Sequence, residues 1–166
     1  MISQQALAHL GLDEVWWLVS PQNPLKGTKE MATEADRLEK ARKVAAHPRI
    51  RVTNIEASLG TQYTVDTLKA LRQNCPKTHF AWLMGADNLI QLPKWHQWEE
   101  IVKTVPIAIF GRPDYSLRAM TSMAAKRYGQ FRLKSDSAHR LVLSPPPAWT
   151  FIHYRQDPIS ATLIRA

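Results

Sequence analysis

The stretch "DPISATLIR", residues 157–165, has the residue types of an anion-binding helix tip. Ser160 is a good N-cap, and the amides that follow it would be free at the positive end of the helix dipole. Thr162 adds a hydroxyl. Arg165 lies five residues after Ser160, about one and a half turns on, and its guanidinium can bind phosphate oxygens with two hydrogen bonds. This pattern predicts a polyphosphate site, although an ordinary capped helix with a surface arginine has the same sequence features.

A second basic group lies in "SPQNPLK", residues 20–26, where two prolines stiffen a turn that precedes Lys26. A lysine ammonium is a compact point charge, so Lys26 is a candidate phosphate ligand. A rigid surface loop explains the same stretch equally well. Arg112, in "FGRPDY", is either a third phosphate ligand or a solvated turn residue.

The stretch "LMGADNLIQLPKWHQW", residues 83–98, has the features of a nucleotide pocket. Asp87 could accept ribose hydroxyls beside Gly85, and Trp95 could stack on a flat heteroaromatic ring. The alternatives are a helix-capping aspartate and a core tryptophan. The core interpretation is preferred for Trp98, because apolar residues follow it at helical spacing.

In "GTQYTVDTL", residues 60–68, Thr64 is a predicted N-cap. The amides beside it could bind a carboxylate. The six histidines are scattered, and the chain lacks H-E-x-x-H, G-x-S-x-G, P-loop and G-x-G-x-x-G motifs. The sequence therefore gives no support to a zinc protease, a serine hydrolase or a standard dinucleotide-dependent dehydrogenase.

Composition limits the class of protein. The 166 residues, 45% hydrophobic, suit one domain covering 1–166, and no apolar run is long enough for a membrane span. No signal peptide is evident, and Cys75 is a lone cysteine, which excludes a disulfide framework and suits the cytoplasm. The net charge of +8 suits a phosphate-rich partner or simply a soluble basic surface.

Strands and helices are predicted to alternate. Strands are expected at 14–19, 50–56, 79–85, 105–111 and 149–154, and helices at 2–10, 28–46, 64–74, 86–102, 115–128 and from 160 onward. Pro93 should interrupt the fourth of these helices, and 130–147 should be an irregular loop. This order predicts an α/β fold with a mostly parallel sheet covered on both faces, and ligands at the carboxyl ends of the strands. The chain opens with a helix, so a first strand is apparently absent.

Five stretches together resemble the bacterial nicotinate-nucleotide adenylyltransferase family of the nucleotidyltransferase superfamily. They are "ALAHLGLDEVWWLVSPQNPLK", "YTVDTLKALR", "MGADNLIQLPKWHQW", "GRPDY" and "ISATLIR". Each is a weak signal alone, but their common order and spacing are specific. The resemblance implies a Rossmann-like three-layer α/β/α domain. It also implies an enzyme of NAD biosynthesis that transfers the adenylyl group of ATP to nicotinate mononucleotide, giving deamido-NAD and pyrophosphate.

The resemblance also implies a role for each matching residue. The ATP phosphates would contact Ser160, Thr162, Arg165 and Lys26. The nicotinate nucleotide would contact Trp95 through its pyridine ring, Tyr63 and Thr64 through its carboxylate, and Gly85, Asp87 and Arg112 elsewhere in the pocket. Mg²⁺ is expected to enter with ATP, without a dedicated protein cage.

The chain departs from the family pattern in three places. Gln62 replaces a serine, and Asp114 follows Pro113 where a glycine is common. The family's opening strand and H-x-G-H turn, whose histidines stabilise charge on the α-phosphate, have no counterpart before Ile2, so no catalytic residue is assigned. A domain truncated in this way, by a late-assigned start or a shortened chain, should leave two strands without a partner and turn over slowly.

Other functions compatible with the sequence are adenylylation of nicotinamide mononucleotide or of a phosphopantetheine, a nucleic-acid-binding module, and a non-catalytic remnant. Dispersed basic residues argue against the nucleic-acid module. The expected partners are ATP and nicotinate mononucleotide rather than nucleic acid or a membrane, and a homo-oligomer is compatible with the sequence.

Overall fold

The computed structural model describes residues 1–20, 33–112 and 115–153. Its strands are β1 Val15–Leu18, β2 Ile50–Thr53, β3 Trp82–Gly85, β4 Ile107–Phe110, β5 Arg132–Leu133 and β6 Trp149–Ile152. Its α-helices are α1 Ile2–Leu10, α2 Glu34–Val44, α3 Ile55–Leu59, α4 Thr64–Asn74, α5 Ala86–Gln91, α6 Trp98–Thr104, α7 Ser116–Met120 and α8 Met123–Arg127. Short 3₁₀ segments cover Leu92–Lys94, Gly129–Phe131 and Ser135–Leu143.

The strands form two parallel sheets. β1 pairs with β2, and the second sheet has the order β3-β4-β6-β5, with every described pairing parallel. The prediction of a parallel α/β fold is therefore confirmed. β1 and β3 each have one edge without a partner among the described strands, as expected of two strands that lack a common neighbour.

Both faces of the larger sheet are covered, because successive residues of a strand point to opposite faces. On one face, Ile107 and Ile109 of β4 belong to an apolar cluster built from α4, α5, α6 and α8. On the other face, Ala108 and Phe110 pack with residues of α1 and of the 3₁₀ segment Ser135–Leu143. All four residues of β4 are buried, which is typical of a central parallel strand. The result is the three-layer α/β/α arrangement.

A groove of about 960 Å³ lies between the open edges of β1 and β3. Trp16 of β1 and Phe80, just before β3, meet across it in an edge-to-face contact with ring centroids 6.0 Å apart. The indole Nε1 of Trp17 donates a 2.6 Å hydrogen bond to Ser3 of α1. The groove is therefore lined by aromatic rings and strand edges.

Several element boundaries differ from the prediction. The strand expected at 50–56 ends at Thr53, because Ile55 begins α3. The helix expected at 115–128 breaks into α7 and α8, where Ser122 accepts a hydrogen bond from the Ala125 amide and caps the second helix. The stretch 130–147 contains β5 and a 3₁₀ helix. Within the helix expected at 28–46, α2 has no buried residue, whereas Ala45 directly after it is buried in an apolar cluster.

Several helix ends agree with the prediction. Gly11 ends α1 in the left-handed region at a φ of 64°, where a glycine is favoured. α4 spans the predicted 64–74, and α5 and α6 are separated around Pro93. The helix predicted from residue 160 onward lies outside the described residues. Among the residues that the structure describes, no helix has both the length and the apolar character needed to cross a membrane.

Candidate nucleotide-binding site

Gly85, at the carboxyl end of β3, is buried and has little free space around it. A Cβ at this position would lie 2.5 Å from the Oδ1 atom of Asp87 and 3.1 Å from the Nε atom of Arg112. Any side chain larger than hydrogen would therefore displace the two charged groups. Gly85 is required here by space, because its backbone passes directly beneath the pair.

Asp87 and Arg112 come from different strand ends and meet as an ion pair. Asp87 lies in the first turn of α5, and Arg112 follows β4, the neighbour of β3. The guanidinium Nε lies 3.5 Å from Oδ1, and Nη1 donates a long 3.5 Å hydrogen bond to Oδ2. Two of the residues expected in the nucleotide pocket are therefore in contact.

The two carboxylate oxygens of Asp87 differ in their contacts. Its Oδ1 atom is buried and has no hydrogen-bond partner, because the Nε contact at 3.5 Å lacks hydrogen-bond geometry. A buried acceptor without a partner is costly, and the side chain as a whole keeps 24% of its surface exposed. Asp87 does not cap α5, whose N-cap is Gly85, so the capping alternative is wrong.

Trp95 ends the 3₁₀ turn Leu92–Lys94, and its amide donates a 2.9 Å hydrogen bond to the Leu92 carbonyl. Its indole is partly buried against the apolar cluster that includes Leu89 and Leu92. A ring fixed by the core but still partly exposed can stack on a planar ligand. Trp98 also packs against this cluster, as its core interpretation predicted.

Tyr63 and His96 join two segments that are distant in sequence. Their rings stack with centroids 4.3 Å apart and an interplanar angle of 32°, and both residues are exposed. The contact brings the start of α4 to the turn that bears Trp95. His96 was not singled out from the sequence, because the flanking tryptophans in "WHQW" do not indicate which distant ring it meets.

The N-terminus of α4 differs in detail from the prediction. Tyr63 is the N-cap and Thr64 is the first helical residue, so Thr64 is not the cap. Since a tyrosine side chain cannot reach back to the first amides, α4 has no side-chain cap. Within the described chain, no group accepts a hydrogen bond from the amides of Thr64 and Val65. Val65 is fully buried and Thr64 is partly exposed, so the Thr64 amide, at the positive end of an eleven-residue helix, is the donor available to an anion.

Glu56 contacts the first turn of α4 through Thr67 and, like His96, was not identified as a candidate from the sequence. Its carboxylate is buried and accepts hydrogen bonds from Ser20 and Thr67. A lone acidic residue between apolar ones in "NIEASL" was the available signal, but the same letters also describe a solvated turn.

The predicted site residues fall into three groups. Gly85, Asp87 and Arg112 are in contact, and Tyr63 and Thr64 are joined to the Trp95 turn through His96. The predicted phosphate ligands Lys26, Ser160, Thr162 and Arg165 lie outside the described residues. None of the six described site residues lines the groove between β1 and β3. Within the described ranges, no three histidine, cysteine, aspartate or glutamate residues are grouped as a metal site.

Comparisons with known proteins relate the chain to one family. A family model described as cytidylyltransferase-like matches residues 1–166. The chain is 51% identical over 164 residues to a probable nicotinate-nucleotide adenylyltransferase of Parvibaculum lavamentivorans, covering 99% of this chain and 82% of the relative. It is 47% identical to a protein of the same description from Cereibacter sphaeroides, covering 99% of this chain and 87% of that one.

A solved structure supports the fold. The structure of a Plasmodium falciparum nicotinic acid mononucleotide adenylyltransferase complexed with APC aligns with a TM-score of 0.62 and 14% sequence identity. The alignment covers 99% of this chain and 73% of the other. At this identity the likeness concerns the fold alone, which is Rossmann-like.

Proposed function

The chain belongs to the nicotinate-nucleotide adenylyltransferase family, and from that premise we propose that it binds nicotinate mononucleotide and ATP for adenylyl transfer in NAD biosynthesis. In this reaction a phosphate oxygen of nicotinate mononucleotide attacks the α-phosphorus of ATP. The bond from that phosphorus to the oxygen bridging the β-phosphate breaks, and pyrophosphate leaves with the bond's electron pair. Such transfers depend on positioning and electrostatics rather than on a covalent enzyme intermediate.

The stacking of Tyr63 on His96 is the observation that carries the proposal. It holds the partly exposed start of α4, with the Thr64 amide, beside the turn that bears Trp95. A ligand with a carboxylate on a flat aromatic ring matches both features at once, since the amide suits the carboxylate and the indole suits the ring. Nicotinate has this combination, and nicotinamide lacks the charge.

The second part of the proposed site is the strand-end cluster. The carboxylate of Asp87, whose side chain is 24% exposed, is an acceptor suited to a ribose hydroxyl, and Arg112, whose side chain is 47% exposed, presents a cation to a phosphate. Lys26, Ser160, Thr162 and Arg165 are proposed as the ATP-phosphate ligands on sequence grounds. Mg²⁺ would be bound mainly by the phosphates, which it would neutralise, because magnesium usually takes few protein ligands.

The proposal is tested by competition binding. Intrinsic tryptophan fluorescence should report nicotinate mononucleotide binding, and Trp95→Ala should weaken that binding by about tenfold or more, the range expected for losing a stacked ring. Trp16→Phe, a change at the distant groove, is the matched control and should leave affinity unchanged. Equal affinity of Trp95→Ala and the unaltered protein would contradict the assignment.

Discrimination between pyridine nucleotides tests the carboxylate assignment. Nicotinate mononucleotide should bind much more tightly than nicotinamide mononucleotide, because the carboxamide of nicotinamide cannot offer a charged acceptor to the Thr64 amide at the start of α4. Equal binding would favour the nicotinamide alternative. Pyrophosphate release with each acceptor, phosphopantetheine included, identifies which one is adenylylated.

Location and other partners belong to the same proposal. The lone Cys75 favours a cytoplasmic protein, and the described helices include none able to span a membrane. Steep salt dependence of oligonucleotide binding would instead favour a nucleic-acid-binding module. We expect only weak, unspecific oligonucleotide binding, because the basic residues are dispersed.

A further inference from the structure

Glu56 is a buried carboxylate to which the proposed substrate contacts give no role. Only 5% of the residue is exposed. Its Oε2 atom accepts a 2.6 Å hydrogen bond from the hydroxyl of Ser20, and its Oε1 atom accepts one of 3.2 Å from Thr67. Burying a carboxylate is costly even when it is hydrogen-bonded, so an apolar residue would serve better if this position were needed for packing alone.

Thr67 connects this carboxylate to the start of α4. The Thr67 hydroxyl, fully buried, lies 2.8 Å from the hydroxyl of Thr61 and 3.2 Å from the carbonyl oxygen of Tyr63. A hydroxyl has one proton to donate. Thr67 therefore shares its proton between the Glu56 carboxylate and the Tyr63 carbonyl, and its oxygen accepts a hydrogen bond from the Thr61 hydroxyl. The residues 61–63 and the first turn of α4 are thereby held by one network around Glu56.

Ser20 connects the same carboxylate to the carboxyl end of β1. The preceding residue, Val19, donates its amide to the Thr53 carbonyl at 2.9 Å, which places the ends of β1 and β2 side by side. Glu56 follows β2 by three residues. It therefore joins the ends of two strands to the turn that precedes α4.

We propose that Glu56 is a positioning residue for the nicotinate-binding end of the site. Through Thr67 it sets the position of the Tyr63 carbonyl, and hence the direction of the Thr64 amide, which belongs to the same peptide group. Through Ser20 it anchors that turn to the sheet. This inference rests on the proposed function, because the ligand it serves is the carboxylate of nicotinate.

Binding to the whole chain tests the inference. Glu56→Gln keeps the shape of the side chain but replaces one accepting oxygen with a donating amide. We expect this variant to bind nicotinate mononucleotide about tenfold more weakly, the change that corresponds to losing one hydrogen bond to a charged group. Its affinity for ATP should be unchanged. Glu39→Gln, an exposed substitution of the same chemistry, is the control and should change neither affinity.

Thr67 offers a second test that leaves the carboxylate in place. Thr67→Val is nearly isosteric but lacks the hydroxyl, and should weaken nicotinate mononucleotide binding in the same way as Glu56→Gln. Thr67→Ser keeps the hydroxyl and should restore most of the affinity. An equal loss of ATP and nicotinate mononucleotide binding in Glu56→Gln, or no loss in either variant, would overturn the proposal.

Hydrogen exchange without ligand separates this inference from the proposed function. The amides of Asp66 and Thr67 both donate to the Tyr63 carbonyl, at 3.0 and 3.1 Å. In Glu56→Gln they should exchange about tenfold faster, while amides of α6 keep their protection. Unchanged exchange at these two amides refutes a positioning role. If the unaltered protein fails to bind nicotinate mononucleotide, the proposed function fails and the role given to Glu56 falls with it, whatever the exchange shows.

Discussion

The guanidinium of Arg112 and the carboxylate of Asp87 meet at the ends of two adjacent parallel strands, with closest approaches of 3.5 Å. The two residues are far apart in sequence, but β3 and β4 pair so that Gly85 lies beside Phe110. The carboxyl ends of parallel strands meet at one edge of a sheet, and that edge is where ligands bind in folds of this kind. The pair is long and partly exposed, so it adds little stability and leaves both groups able to bind a ligand.

Substituting Asp87 should affect ligand binding more than folding. Asp87→Asn keeps the size of the side chain but removes the charge that makes its oxygens strong acceptors. We expect nucleotide affinity to fall by roughly tenfold to a hundredfold, the range for a hydrogen bond to a charged group. Calorimetric titration measures the loss, and Asp136→Asn, an exposed change, is the control. Unchanged affinity would show that Asp87 does not contact the ligand.

Gly85→Ala should be costly. The added methyl group would lie 2.5 Å from Asp87 Oδ1, so the carboxylate and Arg112 must shift. We expect a loss of about 1–3 kcal/mol in the free energy of unfolding, typical of overpacking, together with weaker nucleotide binding. Gly129→Ala is the matched control, because nothing lies within 4 Å of its Cβ position. Urea denaturation of both variants is the measurement, and equal stability would mean that the strand end adapts freely.

The open edges of β1 and β3 predict a pattern of amide hydrogen exchange. The amides of Val15 and Val19 donate hydrogen bonds of 2.8 and 2.9 Å to carbonyl oxygens on the β2 side. Successive amides of a strand point to opposite sides, so the amides of Trp16 and Leu18 point toward the groove. On β3 the Trp82 amide donates a hydrogen bond to the Pro106 carbonyl oxygen on the β4 side. The next amide, that of Leu83, therefore points toward the groove.

Exchange at Trp16, Leu18 and Leu83 should therefore be faster than at the alternate positions of the same strands. Nuclear magnetic resonance can resolve these amides individually. Uniform protection along β1 would contradict an unpaired edge and indicate that the groove is filled in solution.

Glu14 predicts a pH dependence of stability. A hydrogen bond from the Trp16 indole, followed by the attraction of Arg51, lowers the pKa of the Glu14 carboxyl below its usual value. Because the folded state favours the charged carboxylate, Glu14 stabilises the folded protein at pH values above the usual pKa of a glutamate. That contribution is lost as the pH falls through the lowered folded pKa.

The measurement is the free energy of unfolding of the unaltered protein and of Glu14→Gln across this range. The small advantage of the unaltered protein at neutral pH should shrink toward acid. If the stability advantage of the unaltered protein over Glu14→Gln grew as the pH fell, the lowered pKa of Glu14 would be contradicted.

The sequence by itself determined the features that depend on neighbours along the chain. The helices predicted at 2–10 and 64–74 coincide with α1 and α4, Gly11 follows the end of α1, and Pro93 lies between α5 and α6. Alternation of strands and helices gave the parallel α/β fold, and the family resemblance gave the proposed chemistry. These signals are local periods and backbone restrictions, which can be recognised without knowledge of distant contacts.

Only the tertiary structure decided which distant groups meet. The stacking of His96 on Tyr63, the network around Glu56 and the buried, unpartnered Oδ1 atom of Asp87 depend on strand order and helix packing. Thr64 lost its predicted capping role because the chain enters α4 one residue earlier, at Tyr63. Such contacts join residues that the sheet brings together in space, and one sequence carries no local period that encodes them.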